Sequence, residues 1–496
     1  MSEKVICALD VGTTGTRALL LNVRGEVVGS AYREVELRYP QPGWVEQDPL
    51  EIWVKTEGAM VEALAQAGLT GDAVCGIGVT NQRETTLLWE RKSGQTVYPA
   101  IVWQDRRTES ICQGLRADAD QQFRDTTGLV IDPYFSASKL MWLLDRQPEW
   151  RVRAGAGELA FGTVDSWIAW NLTGGAAHVT DTSNASRTLL FDLRRQTWSD
   201  ELLSRTGIPA ALLPKVQATR SWFGETRGIR AVPDGIPVLA LCGDQQASLF
   251  GQLLLDPGDW KGTYGTGGFL MAILGPEAVQ TRDALTSIAW TAEGQTTYYL
   301  EAAVFVCGAA LQWLRDGLEL FRNYDELEPL LEKGRGWESD LFCVPAFTGL
   351  GTPFWDARAR GLLAGLTRGT SRADLCKATL EGIAFEMEAA FAPLSRLVPC
   401  RRFVADGGAT RSRRLMQFQA DLLQTTVAVS SRQEGTGFGA GFLAGLECGF
   451  WSGIDELRAL MPESCDYHPH IAPEQAQRLT ARWGQAAQRS LQWAQE

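Results

Sequence analysis

The chain has 496 residues, enough for two or three domains with full cores. It is 45% hydrophobic and 21% charged, and its formal net charge of −12 argues against a general nucleic-acid or membrane-surface binder, which needs a basic face. No stretch approaches the roughly 18 apolar residues of a membrane span, the ten cysteines form no CxxC pair, and MSEKVICALD has too short an apolar run for a signal peptide, so a cytoplasmic protein with reduced thiols is expected.

Residues 5–11, VICALDV, predict a buried strand that ends in an acid. The loop Gly12 to Thr16 follows, then RALLLNV as a second strand, an Arg24-Gly25 turn, and EVVGSAY as a third. No helix follows the glycines, which excludes both a Rossmann fingerprint and a Walker loop. The loop still has phosphate-binding chemistry. Gly12 permits close backbone approach, Thr13 and Thr14 offer hydroxyls beside their N–H groups, Arg17 supplies a cation, and Asp10 can hold a hydrated Mg²⁺.

In the middle of the chain, LALCGDQQASLFGQLL (239–254) predicts a strand running into Gly243-Asp244-Gln245, then a helix. KGTYGTGGFLMAIL (261–274) places a second Gly/Thr turn, with Thr263, Gly265, Thr266 and Gly267, between two strands. Two such loops, each near a strand-end Asp, predict two related halves facing one another. A third Gly-rich turn, VADGGAT (404–410), precedes the helical run LMQFQADLL, and the three together predict a nucleotide cleft between two domains. GTGFGAGFLAG (435–445) lacks the ribose-binding acid of a dinucleotide site and reads as a helix packed close to a sheet, with Thr436 near its N-cap. His468 and His470 read as a surface pair, and Pro473 as the start of a closing helix.

Longer runs carry a resemblance. YPQPGWVEQDPLEIW (39–53), GVTNQRETTLLWE (78–90), TGLVIDPYFSASKLMWLLD (127–145), VTDTSNASRTLLFD (179–192), GDQQASLFGQL (243–253) and VPAFTGLGTPFWDARARG (344–361) look like blocks of the FGGY carbohydrate kinases, above all of members that phosphorylate glycerol. FSASKLMW (135–142) and GLLAGLTRGTSRADLCKATLE (361–381) match the two signatures of that family. The resemblance implies an α/β fold of two domains, each a mixed sheet flanked by helices, as in actin and the heat-shock chaperones (ribonuclease H-like). The boundary is expected near residue 250, giving domains 1–250 and 251–496, with ATP and substrate in the cleft.

The family's substrate contacts fall on Arg83, Glu84, Tyr134, Asp244 and Gln245, with Trp103 and Phe269 as aromatic walls. Its nucleotide positions fall on Thr13, Thr14, Arg17, Thr266, Gly308, Gln312, Gly408 and Ser412, and its metal positions on Asp10 and Asp244. The implied reaction moves the γ-phosphoryl of ATP, with Mg²⁺, to a terminal hydroxyl of glycerol, with Asp244 as base. A kinase for erythritol, ribitol or xylulose remains open on the sequence, as does a non-catalytic nucleotide-binding protein on the same fold. The resemblance implies a homo-oligomer, a dimer or tetramer. Val11 and Ser412 depart from the family's usual Gln and Asn, which touches nucleotide preference.

Overall fold

The computed structural model describes residues 3–432 and 434–494. The first lobe is built on β1 (Val5–Val11), β2 (Gly15–Leu21), β3 (Val27–Glu34), β4 (Val74–Asn81), β5 (Arg220–Glu225) and β6 (Pro237–Gly243). They form one sheet in the order β5-β6-β4-β1-β2-β3. β1 pairs antiparallel with β2 and parallel with β4, and β4 pairs parallel with β6. The parallel strands are near-continuous apolar runs because both faces are covered.

The second lobe repeats this plan. Its sheet contains β7 (Asp259–Tyr264), β8 (Gly268–Gly275), β9 (Leu285–Ala292), β10 (Gln295–Val304), β11 (Arg402–Asp406), β12 (Val427–Val429) and β13 (Cys465–Tyr467). The order is β9-β10-β8-β7-β11-β12-β13. Again a hairpin, β7–β8, opens the sheet, and parallel strands β11 and β12 extend it from β7. Both Gly/Thr loops therefore occupy the same place, the tip of the first hairpin of a lobe. The strand-loop-strand reading of each holds.

One expectation needs correction. Asp244 does not accompany the second loop. It follows β6 and so belongs to the first sheet, whereas the acid in register with the second loop is Asp406, paired opposite Thr263.

Helices fix these sheets at defined points. α1 (Pro49–Ala67) is capped by Asp48, whose side chain accepts from the Leu50 N–H at 2.9 Å, and is closed by Gly68 at φ 66°. α2 (Ser136–Arg146) carries the 135–142 signature. α3 (Asp244–Gly251) starts directly after β6. α4 (Gly308–Gln312) follows β10, α5 (Arg413–Leu423) follows the third glycine turn, and α6 is the Gly-rich helix Gly435–Glu447. α7 (Pro473–Ser490) closes the chain, with Pro473 in its first turn. No helix among the described residues is long and apolar enough to cross a membrane. Six of the ten cysteines are buried, while Cys448 and Cys465 are exposed.

α6 comes late in the chain yet covers the first lobe's sheet. A Cβ on Gly78 of β4 would lie 2.1 Å from the Ala440 carbonyl, and one on Gly439 would lie 1.8 Å from the Ala247 carbonyl of α3. The glycines let backbone meet backbone, as the sequence suggested. Thr436 lies near the N-cap as expected, inside the first turn, and the N-cap itself is Glu434 at φ 63°. A shared apolar cluster joins the lobes here, with Ile6, Leu19 and Leu21 of the first sheet, Met271 and Tyr299 of the second, and Phe442 of α6.

Gly439→Ala should therefore destabilise by about 1–3 kcal/mol, the usual cost of forcing atoms into a packed contact, despite alanine's better helix propensity. Thermal melts of the purified variant check this; an unchanged or raised melting temperature would contradict the close-packing account.

Candidate active site

The first loop is pinned from behind. The Gln47 amide donates to the Thr13 carbonyl at 2.7 Å, and the Gln82 amide donates to the Gly12 carbonyl at 3.3 Å. The Thr14 carbonyl accepts from the Val35 N–H at 3.1 Å and from the Tyr32 hydroxyl at 3.2 Å. The Gly12 N–H closes the turn onto the Gly15 carbonyl at 2.9 Å, which leaves the N–H groups of Thr13 and Thr14 as the loop's candidate anion donors. The Trp103 indole donates to the Thr13 hydroxyl at 2.9 Å, so Thr13 serves the scaffold while Thr14 stands exposed. Arg17 is paired with Glu434 across the lobes at 3.2 Å and lies over the Tyr32 ring. Val11 does not reach the cleft, for its side chain is buried in the first lobe's core.

Arg83 and Glu84 follow β4 and form a buried floor, 3% and 1% exposed. Glu84 sits at φ 61°, a left-handed conformation rare for a non-glycine, and its carbonyl accepts from the Ser136 hydroxyl at 3.0 Å. Arg83 Nε lies 3.2 Å from Asp244 Oδ1, and Arg83 Nη1 donates to Glu301 at 2.8 Å and to the Tyr299 hydroxyl at 2.9 Å. Among the described residues, Arg83 Nη2 has only the Tyr134 hydroxyl, at 3.5 Å. That donor is spare. Gly243 permits the approach, since a Cβ there would lie 2.9 Å from the Arg83 side chain. Asp244, at the N-terminus of α3, accepts from the Gln245 N–H at 2.7 Å, and its side chain is one-third exposed to the cleft.

Trp103 and Tyr134 meet edge to face at 5.5 Å and wall the space beside Arg83. Tyr134 is held by Lys139, wholly buried on α2, which donates to the carbonyls of Pro133, Tyr134 and Phe135. Burial pulls the Lys139 ammonium down to about 8. Phe269, on β8, is half-buried and pairs with Thr263.

The second loop joins a separate group. The Gly265 carbonyl accepts from the Gly308 N–H at 2.8 Å, and the Thr266 carbonyl from the Cys307 N–H at 2.9 Å. A Cβ on Gly308 would lie 2.7 Å from Gly265 O, so only glycine fits. Gln312 is exposed at the end of α4. The Ser412 hydroxyl caps α5 and donates to Glu328 at 2.8 Å, so its polar atom already has partners. A cavity of about 550 Å³ lies between the lobes, lined by Gln245, Lys261, Thr263, Asp406, Gly408 and Thr436. Among the described residues, Gln245 Oε1 and Asp406 Oδ1 are buried without a protein partner, acceptors left for a ligand or water. Gln245 thus lines the same cavity as Gly408.

Electrostatics separate the carboxylates. Burial, then Asp244 and Glu434, push Asp10 up to about 7 against Arg17. Asp244 is raised by burial against the pull of Arg83. Burial also opposes ionisation of Glu301, but Arg187 and Arg83 outweigh it and hold the acid at about 2.

Several of these groups escaped the sequence reading. Arg187 is wholly buried and donates to Glu84 at 2.7 Å. Glu301, Tyr299, Lys139, Lys261 and Asp406 were likewise unassigned. The one signal was a lone charge in an otherwise uncharged run: Arg187 in SNASRTLL, Glu301 in YYLEAAV, Lys139 in FSASKLMW.

Comparison with known proteins agrees with this architecture. Residues 5–251 match the N-terminal domain of the FGGY family of carbohydrate kinases, and residues 261–448 match its C-terminal domain. The chain is 45% identical to a glycerol kinase of Myxococcus xanthus over 98% of this chain and 99% of the other. It is 47% identical to a glycerol kinase of Dechloromonas aromatica over 99% of each. The crystal structure of Plasmodium falciparum glycerol kinase with ADP superposes with a TM-score of 0.94 at 32% identity, covering 100% of this chain and 99% of that one. With both lobes, both loops and the full length matched, the chain belongs to the FGGY family of carbohydrate kinases.

Proposed function

We propose that this kinase transfers the γ-phosphoryl group of ATP to a terminal hydroxyl of glycerol, giving sn-glycerol 3-phosphate and ADP. The observation that carries the reading is the floor of Arg83, Glu84 and Asp244 beside the Trp103–Tyr134 edge. It offers a spare donor at Arg83 Nη2 and carboxylate acceptors at fixed positions, against aromatic faces that pack a short carbon chain. A small neutral triol has that pattern, and full-length relatives carry that name.

In this reading Asp244 accepts the proton of the hydroxyl as its oxygen bonds to the γ-phosphorus and the bond to the ADP oxygen breaks. The transition state of such transfers is loose, so aiming the oxygen matters more than removing its proton. Arg83 keeps Asp244 oriented while Nη2 takes a substrate hydroxyl. Glu84 accepts from a neighbouring hydroxyl. Phe269, from the second lobe, closes the apolar side. Thr14 and the loop N–H groups meet the phosphates from the first lobe, and Thr266 with Gly408 from the second. Gly308, Gln312 and Ser412 line the nucleotide end. Arg17 would exchange Glu434 for phosphate.

Asp10 and Asp244 fit Mg²⁺, a hard cation that keeps several waters and needs few protein oxygens. Burial first, and then the facing Asp244 and Glu434, hold the proton on Asp10 to about 7, and a divalent cation would relieve the repulsive part. When bound, Mg²⁺ would neutralise phosphate charge.

Coupled ADP release with Mg-ATP, assayed over glycerol, dihydroxyacetone, erythritol, ribitol, xylitol, xylulose and no substrate, tests the assignment. Glycerol should give the fastest release; a longer polyol in its place would refute glycerol but keep the kinase. Asp244→Asn should lower turnover at least about a hundredfold, the low end for a positioned base, with nucleotide binding kept. Turnover within about tenfold of wild type would remove Asp244 from that role.

Asp10 gives a pH test without substrate. The folded chain holds this proton to about 7, whereas an unfolded aspartate releases it near pH ~4. The folded state binds the extra proton between those values, so this contribution to stability is lost as pH rises from about 4 to about 7. The metal-free melting temperature of wild type should fall more across that window than that of Asp10→Asn. Parallel curves would count against the raised acid.

A further inference from the structure

Glu301 touches no open space, yet it stands behind both acids of the substrate floor. It lies on β10 of the second lobe and is 3% exposed. Each carboxylate oxygen is engaged. Oε2 accepts from Arg83 Nη1 at 2.8 Å and from the Tyr299 hydroxyl at 3.1 Å, and Oε1 accepts from Arg187 Nη2 at 2.9 Å. From there two arms run into the first lobe. One passes through Arg83 to Asp244 at 3.2 Å. The other passes through Arg187, whose Nε donates to Glu84 Oε1 at 2.7 Å and whose Nη1 donates to the Ser287 hydroxyl at 3.0 Å. The Arg187 guanidinium also lies over the rings of Tyr134 and Phe135, at 5.7 and 5.2 Å. Arg83, Arg187, Asp244, Glu84 and Tyr134 are thus each within two contacts of one carboxylate from the opposite lobe.

Stability alone explains this poorly. Desolvating the guanidiniums of Arg83 and Arg187 with the carboxylates of Glu84 and Glu301 can cost more than a well-packed apolar patch would. What the cluster supplies is geometry: a bidentate acid fixes two planar forks at once. We propose that Glu301 is a positioning residue for the polyol site, orienting Arg83 directly and Glu84 through Arg187, so that the second lobe sets the shape of a site otherwise built by the first. The nucleotide loops make no contact with this cluster among the hydrogen bonds described, so their function should be spared.

This inference rests on the proposed polyol kinase activity. Its test uses whichever polyol the wild-type enzyme phosphorylates, so a wrong choice of polyol shows in the wild type and a wrong role for Glu301 shows in the variants. Full-length Glu301→Gln keeps the shape but removes the charge; Glu301→Asp keeps the charge but withdraws it by one methylene. In steady-state kinetics with each substrate varied separately, Glu301→Gln should raise the polyol KM about tenfold or more and lower kcat, while KM for Mg-ATP stays within about threefold. Glu301→Asp should fall between Glu301→Gln and wild type. A folded variant with unchanged polyol kinetics, or with both KM values shifted alike, would overturn the proposal. So would failure of both variants to fold, which would mark the carboxylate as serving stability only.

Discussion

A guanidinium that is 3% exposed, as Arg83 is, needs anions and hydroxyls around it in place of water. Removing one partner of such a buried pair costs about 3–5 kcal/mol. That constraint organises the cleft floor. Asp244, Glu301 and the hydroxyls of Tyr299 and Tyr134 surround Arg83 on all sides but one, and Glu84 lies 3.7 Å away. The weakly bonded Nη2 is what remains for a ligand. Arg187 and Glu301 complete a cluster of two cations and three carboxylates in which every charge faces an opposite one.

The duplicated fold delivers these groups. Each lobe opens with a hairpin whose tip is a Gly/Thr loop, and each adds parallel strands that end at the same level. In the first lobe β1, β4 and β6 thereby bring Asp10, the Arg83–Glu84 pair and Asp244 to one edge. In the second, Thr263 and Asp406 reach the facing edge. The glycines of α6 let that helix lie against β4 and α3 at backbone contact, which draws the two lobes over a common apolar cluster. Substrate and nucleotide groups therefore converge from short segments far apart in sequence, around residues 10–17, 83–84, 244–245, 263–266 and 406–408.

Much of this was legible in the residues. Hairpin loops, their threonines and strand-end acids are local features, and strand-turn-strand patterns resolve them. The close-packed helix 435–447 was also legible, because glycine every second residue has few other uses in a helix. The position of the cap was legible near Thr436, but not that Glu434 supplies it, because its left-handed φ is not announced by residue type alone. Asp244 was assigned to the wrong sheet neighbour because nearness to KGTYGTGG in sequence is not nearness in the sheet. The charge cluster was illegible for a deeper reason: Arg83 and Glu301 are 218 residues apart, and Arg187 and Glu84 are 103 apart. No local pattern encodes such pairings. Likewise, a threonine hydroxyl in a loop looks free until Trp103 is found bonded to Thr13, leaving Thr14 as the open one.

The most direct measurement is a crystal structure of the full chain with glycerol and ADP bound. The account predicts glycerol oxygens within hydrogen-bond distance of Arg83 Nη2, Glu84 and Asp244, with the carbon chain against Trp103 and Tyr134 and the Glu301–Arg83 contact intact. Glycerol bound elsewhere, or an Arg83 that leaves Glu301 to reach it, would contradict the claim that this buried charge cluster is the preformed floor of the substrate site.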